Sequence, residues 1–141
     1  MLDAMVAFAQ ARLAETEAAA KAISAWDWSD AYAWAEFSPE VAAHFRLHHP
    51  AKAVREIETT RLLIAEILSM PHTYIDGDTW FSCSQAVRDS GDQEPGSGCA
   101  DEDRAGKPCD CGRDRRVGRM LGSIVSRWDD HPDYQKEAWK P

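Results

Sequence analysis

All four cysteines of this 141-residue chain lie in one polar segment, and this clustering restricts how the segment can fold. They are Cys83, Cys99, Cys109 and Cys111. Residues 84–108 are rich in Gly, Asp, Ser and Pro and show no apolar periodicity. Because such a segment has too few apolar side chains to build its own core, the thiols predict a cross-link. A structural zinc ion, which takes four such ligands in a tetrahedron, suits them best.

Metal binding is favoured over disulfides by the expected location of the protein. The N-terminal stretch has an acidic residue at position 3 and no basic region before its apolar residues, so no secretory signal is expected. No apolar run has the length of a membrane span. We therefore expect a cytoplasmic protein whose thiols stay reduced. Cys109 and Cys111 are also too close in sequence to bridge each other comfortably.

The predicted ligand set is Cys83, Cys99, Cys109 and Cys111, with His72 as the reserve ligand should one cysteine point away. The spacing is not that of a zinc ribbon, so four thiols that bind no metal are the alternative interpretation. That interpretation is weaker because this loop has no core in which to bury them. We predict a closed, structural Zn²⁺ site rather than a catalytic one.

Four segments carry helix signals. Asp3 can cap a first helix, Ser38-Pro39-Glu40 is a strong helix start, Pro50 can open a third helix, and Asp114 can cap a last one. Apolar residues recur at three-and-four spacing in the first, third and last segments. The predicted helices run from about 3 to 23, 38 to 48, 50 to 69 and 114 to 128.

Two other segments indicate short β structure. The aromatic residues of 24–37 alternate as in a hairpin or an aromatic loop. In residues 72–83, Asp76-Gly77 is a two-residue hairpin signal whose register would deliver Cys83 and His72 to a metal. The predicted fold is therefore α+β and mostly helical, with three or four packed helices, a small β-hairpin and a zinc-stapled loop. We expect a single domain over residues 1–141, with the zinc-binding hairpin and loop embedded at about 72–112.

Charge is distributed unevenly along the chain. Residues 104–127 carry a net charge of +5, whereas the whole chain carries −8. Within the basic segment, four arginines at the start of the last helix are candidates for binding an anion or a partner: Arg113, Arg115, Arg116 and Arg119. The alternative is intramolecular pairing with the acidic residues of 101–103, which we favour over nucleic-acid binding because the rest of the protein is acidic.

Catalytic motifs are scarce. His44 and His48 are four apart on a helix, a spacing that can bind metal, but residue 45 is Phe and the general base of an HExxH motif is missing. We interpret these histidines as helix-end residues near the negative end of the dipole. Phosphate loops, nucleophile elbows and paired carboxylates are also absent, so an enzyme is not expected.

Three stretches of the chain resemble a known family. They are FAQARLAETEAAA near the N-terminus, HHPAKAVREIETTRLLI in the middle, and GKPCDCGRDRRVGRML with RWDDHPDYQKEAWKP at the end. Together they resemble an uncharacterised domain-of-unknown-function family of actinobacteria and their phages, in a cysteine-bearing version. The resemblance implies no activity. It implies location in the host cytoplasm if the chain is phage-encoded.

We therefore predict a small, non-enzymatic zinc-binding accessory protein that acts through a protein partner and does not bind membranes. One alternative is a nucleic-acid-binding regulator that uses the arginines at the start of the last helix. A weaker alternative is a metal-dependent hydrolase, which would need an open position on the zinc ion. Salt-sensitive retention on DNA would distinguish the first alternative from the partner-binding protein.

Overall fold

The first helix, α1 (Leu2–Ser24), is alanine-rich, so its backbone has high intrinsic helix propensity. Its buried residues recur at three-and-four spacing, and Met5, Phe8 and Leu13 face the core. The computed structural model describes residues 1–24, 37–75, 83, 85–86 and 111–139. The predicted extent of this helix is confirmed to within a residue or two.

The starts of the next two helices are determined by local capping. In α2 (Pro39–Leu47), the Ser38 hydroxyl accepts a hydrogen bond from the Val41 N–H, and proline occupies the first helical position. In α3 (Pro50–Leu68), the His49 ring nitrogen Nδ1 accepts a hydrogen bond from the Ala51 N–H at 3.1 Å. Both starts confirm the sequence prediction.

The last helix, α4 (Arg113–Val125), continues into a 3₁₀ turn at Ser126–Trp128. Its N-cap is Gly112, with a φ of 77°, and this residue has no side chain with which to cap the helix. The prediction that Asp114 caps this helix is therefore wrong, and Asp114 lies within the first turn instead. Glycine suits the cap because this left-handed conformation strains residues with a Cβ atom.

Helices α1, α3 and α4 pack against one another around one hydrophobic core. Residues after the 3₁₀ turn complete it, because Trp139 is 2% exposed and lies with Tyr134 against Phe8. The buried core residues are Met5, Phe8, Ala9, Leu13, Ile57, Ile64, Ile67, Val117, Leu121, Ile124, Val125 and Trp139. No helix in the described ranges is both long enough and apolar enough to span a membrane.

The α+β prediction is wrong: every regular element in the described part of the chain is helical. The predicted hairpin would place Cys83 opposite Met70, but the Cys83 N–H donates to the Thr73 carbonyl at 2.9 Å. Pro71 also lacks the N–H that a strand ladder would need at that point. The predicted turn at Asp76-Gly77 and residues 25–36 of the aromatic segment lie outside the described residues.

Candidate metal centre

Three chain segments bring the candidate ligands together beside the end of α3 and the start of α4. His72 follows α3 closely, just after Pro71. Cys83 is tied to this segment by its backbone hydrogen bond to Thr73. Cys111 directly precedes Gly112, the N-cap of α4. The ligand positions therefore depend on two helix ends and one backbone hydrogen bond.

The geometry of these three side chains suits a metal ion. His72 Nδ1 lies 3.6 Å from Cys83 Sγ and 3.7 Å from Cys111 Sγ. All three ligand atoms lie within 4.8 Å of one another. In a tetrahedral zinc site, with Zn–S about 2.3 Å and Zn–N about 2.0 Å, neighbouring nitrogen and sulfur ligands are about 3.6 Å apart. His72, Cys83 and Cys111 are thus close enough to hold a metal ion.

The sequence-predicted ligands are found as follows. Cys83 and Cys111 are brought together, and the reserve ligand His72 is part of the cluster. Cys83 is 2% exposed and the His72 side chain is 13% exposed, so the cluster is largely shielded from solvent. Cys99 and Cys109 lie outside the described residues.

Arg113 connects the cluster to the helical core. Its Nε donates to the Met70 carbonyl at 2.9 Å and its Nη2 to the Leu68 carbonyl at 2.6 Å. Leu68 is the last residue of α3 and Met70 lies two residues beyond it, in the region where backbone acceptors have no partner within the helix. The guanidinium thereby holds the start of α4, and with it Cys111, against the chain that leads to His72.

Asp114 lies near Nε2 of His72, whereas the two sulfurs lie near Nδ1. Its Oδ1 is 3.9 Å from His72 Nε2. The same oxygen accepts a hydrogen bond from Arg113 Nη1 at 2.8 Å. The sequence analysis predicted neither the contact of Asp114 with His72 nor the hydrogen bonds of Arg113. Nothing in the side-chain pattern shows that residue 113 faces the carbonyls of residues 68 and 70.

The predicted arginine group divides in two. Arg113 has a side chain that is 14% exposed and makes hydrogen bonds to the carbonyls of Leu68 and Met70, and its contact with an anion or a partner stays a prediction. Arg115, Arg116 and Arg119 are exposed on α4. The acidic residues 101–103 lie outside the described residues, so their pairing with these arginines stays a prediction.

The two histidines of α2 are neighbours, and the group of potential metal ligands found among the described residues does not include them. The His44 and His48 rings have centroids 4.4 Å apart, and both residues are exposed. Among the described residues, the group of three or more potential ligands is the one at His72, and it includes neither of these histidines. The interpretation of these two residues as helix-end histidines is retained.

Comparison with known proteins supports one assignment. A model of the DUF6221 family matches residues 2–141. The chain belongs to this family of unknown function. This match confirms the expected relation to a family of unknown function. It covers nearly the whole chain, whereas the resemblance rested on three stretches. No curated protein and no solved structure matches this DUF6221 protein.

Proposed function

We propose that this DUF6221 protein is a structural zinc protein. In this proposal His72 Nδ1 and the sulfurs of Cys83 and Cys111 are three ligands, and Cys99 or Cys109 is the fourth. The observation that carries the proposal is the pair of nitrogen–sulfur distances, 3.6 and 3.7 Å, which fit the edge of a tetrahedral zinc site. The predicted four-cysteine set thereby becomes three cysteines and one histidine.

Zinc is favoured over other metals by the donor set. Thiolate and imidazole ligands select zinc or other soft and borderline ions, whereas magnesium and calcium prefer oxygen. A structural role is favoured because the sequence offers two further cysteines for the fourth position. A hydrolase would need that position to hold water, and it remains the weakest of our proposals.

The proposed role is non-enzymatic, with the last helix as the docking surface for a protein partner. Arg115, Arg116 and Arg119 are exposed on α4. Met120, which directly follows Arg119, is 38% exposed. Arginine and methionine are enriched at protein interfaces. Charge complementarity therefore supports an acidic protein surface as the occupant. We further propose that the protein belongs to the actinobacterial and phage branch suggested by its C-terminal residues DHPDY.

Nucleic-acid binding is the second candidate, supported by the same three exposed arginines. Arginine forks suit phosphate groups as well as carboxylates. The net charge of −8 argues against extended contact with a polyanion, because the acidic part of the surface repels it. This candidate therefore ranks below the protein partner.

The zinc proposal is tested by metal analysis of the purified full chain and by thermal melting before and after chelation. One zinc per chain and a melting temperature lowered by the chelator are expected. His72→Ala and Cys111→Ser should lower the zinc content, whereas the exposed His44→Ala should not. Full-length protein without bound zinc, and with no response to the chelator, would refute the site.

The fourth ligand is identified by comparing Cys99→Ser with Cys109→Ser. The proposal expects one of these variants to lose zinc and the other to keep it. Equal retention in both, with a water signature in the Co²⁺-substituted protein, would instead favour the hydrolase.

The docking surface is tested with a variant in which Arg115, Arg116 and Arg119 are all alanine. A matched control removes three exposed positive charges elsewhere: Lys52, Arg55 and Lys136. The probes are a poly-glutamate peptide and a DNA duplex, each titrated with salt. Binding of the peptide that is lost only in the α4 variant supports the protein partner. Binding of the duplex with steep salt dependence favours nucleic acid, and binding of neither probe contradicts the docking surface.

A further inference from the structure

The imidazole of His72 has its two ring nitrogens in different surroundings. Nδ1 faces the sulfurs of Cys83 and Cys111, whereas Nε2 faces the carboxylate of Asp114. A metal binds the ring nitrogen that carries no proton, so ligation through Nδ1 requires the proton to be on Nε2. The ring nitrogen that must keep its proton is therefore the one that faces a negative charge.

The carboxylate is itself held in place. Arg113 Nη1 donates to Asp114 Oδ1 at 2.8 Å, and the same guanidinium is bonded to the carbonyls of Leu68 and Met70. Hydrogen bonds thus lead from the carbonyls of Leu68 and Met70 through Arg113 to Asp114, whose carboxylate lies 3.9 Å from His72 Nε2, beyond hydrogen-bond distance and close enough for an electrostatic interaction. Because the arginine charge offsets much of the carboxylate's field at longer range, the effect of Asp114 is local to the ring.

We infer that Asp114 is a positioning residue for the metal centre, which orients His72 and keeps its proton on Nε2 so that Nδ1 faces the metal. The inference rests on the proposed zinc site. Metal-binding histidines generally interact through their second ring nitrogen with a carboxylate or carbonyl, and loss of that partner weakens metal binding about 10–100-fold. The Asp114 side chain is 40% exposed, so the lower end of this range is expected.

The test is a Co²⁺ titration of the full chain, followed through the visible absorption of the bound ion. Asp114→Ala should raise the dissociation constant about 10-fold and shift the absorption bands, because the ring is no longer held in one orientation. Asp114→Asn keeps an acceptor oxygen and should fall between this variant and the unchanged protein. Asp130→Ala, which removes an equally charged exposed residue after the 3₁₀ turn, should leave both readouts unchanged.

A second measurement separates positioning from folding, since Asp114 also lies at the N-terminal end of α4, where a carboxylate stabilises the helix. Zinc release from the loaded protein to a competing chelator should be faster for Asp114→Ala at a temperature where circular dichroism shows the variant fully folded. Unchanged affinity, spectrum and release rate in Asp114→Ala would overturn the inference and leave the zinc site standing. Failure of the unchanged protein to bind Co²⁺ would overturn the zinc proposal itself.

Discussion

Arg113 links the candidate metal centre to the helical core. Its guanidinium makes hydrogen bonds to two main-chain carbonyls at the end of α3 and to the Asp114 carboxylate. Arginine suits this position because its planar group presents several donors in a fixed arrangement. A lysine ammonium also has three N–H donors, but all of them are on one nitrogen, whereas Arg113 contacts its three acceptors through three different nitrogens.

Arg113→Ala is expected to lower the free energy of unfolding by about 2 kcal/mol, because charge-assisted hydrogen bonds to partly buried carbonyls are lost. Urea denaturation of the full chain measures this change. Arg116→Ala is the matched control, since this exposed arginine on the same helix should cost less than about 0.5 kcal/mol. Equal effects in the two variants would show that Arg113 contributes only its charge.

At the scale of helices, the glycine that precedes α4 as its N-cap, Gly112, and a glycine within the helix, Gly118, are in different surroundings. Gly112 has a φ of 77°, in the left-handed region. Gly118 lies inside the helix facing α1, where an added Cβ would be 3.5 Å from Leu2 Cδ2. That distance is an ordinary van der Waals contact, so close helix approach does not require glycine at residue 118.

Gly118→Ala is therefore expected to stabilise the protein by up to about 1 kcal/mol, because alanine favours the helix interior and the space is available. Gly112→Ala should have the opposite effect and destabilise by about 1 kcal/mol, since the left-handed conformation strains alanine. Thermal melting of the two variants shows whether each is more or less stable than the unchanged protein. A lower melting temperature for Gly118→Ala would mean that the Leu2 side chain cannot move to make room for the added methyl group.

Helices α1 and α3 are also joined by an ion pair. Glu17 accepts hydrogen bonds from Lys21 on its own helix and pairs with Arg61 of α3 at 2.7 Å. Hydrogen bonds from Lys21 and then Arg61 lower the pKa of Glu17 below its ordinary value of 4.5. A lowered carboxyl pKa stabilises the folded state above the unfolded pKa, and this stabilisation is lost as the pH falls through the folded value.

Glu17→Gln should therefore reduce the stability difference between pH 7 and the acid range below 4.5, where Glu17 begins to be protonated in the unfolded chain. Denaturation measured across this range, on the unchanged protein and the variant, tests the sign. Glu58→Gln on α3 is the control, because that residue is exposed and should change the pH dependence little. Parallel pH profiles for Glu17→Gln and the unchanged protein would contradict the ion pair.

At the scale of the whole molecule, the core depends on the residues that follow α4. Trp139 is 2% exposed, and its ring lies 5.0 Å from Phe8 and 5.7 Å from Tyr134 between centroids. Its indole N–H is buried and has no hydrogen-bond partner among the residues that the structure describes. The position thus provides a large apolar contact with α1 together with one unfavourable polar group.

Trp139→Ala is expected to cost about 3 kcal/mol or more of unfolding free energy, because a large buried side chain is removed. Trp139→Phe should cost clearly less, since it keeps an aromatic ring and removes the unpaired N–H. Chemical denaturation compares them. Lys136→Ala, on the same segment but exposed, should be close to neutral, and a Trp139→Ala variant as stable as this control would show that the segment does not complete the core.

The sequence predicted the helices better than the connections between them, and the reason is physical. The start of α2 is determined by Ser38 and Pro39, whose capping contacts are local. The hairpin failed because a turn signal at Asp76-Gly77 cannot fix which residue pairs with Thr73. His72 is nevertheless a correctly predicted member of the ligand group. Any arrangement that brings residue 83 close to residue 73 also brings it close to residue 72.

The spacing of the three candidate ligands along the chain has a consequence for the folding pathway. His72 is 11 positions from Cys83 and 39 positions from Cys111. Closing a chain loop costs entropy that rises with its length, so the shorter loop should close first. If His72 and Cys83 bind the proposed zinc ion first, its later capture by Cys111 would help to align α3 with α4. Refolding of this protein should accordingly be faster when zinc is supplied at the start than when it is added at the end.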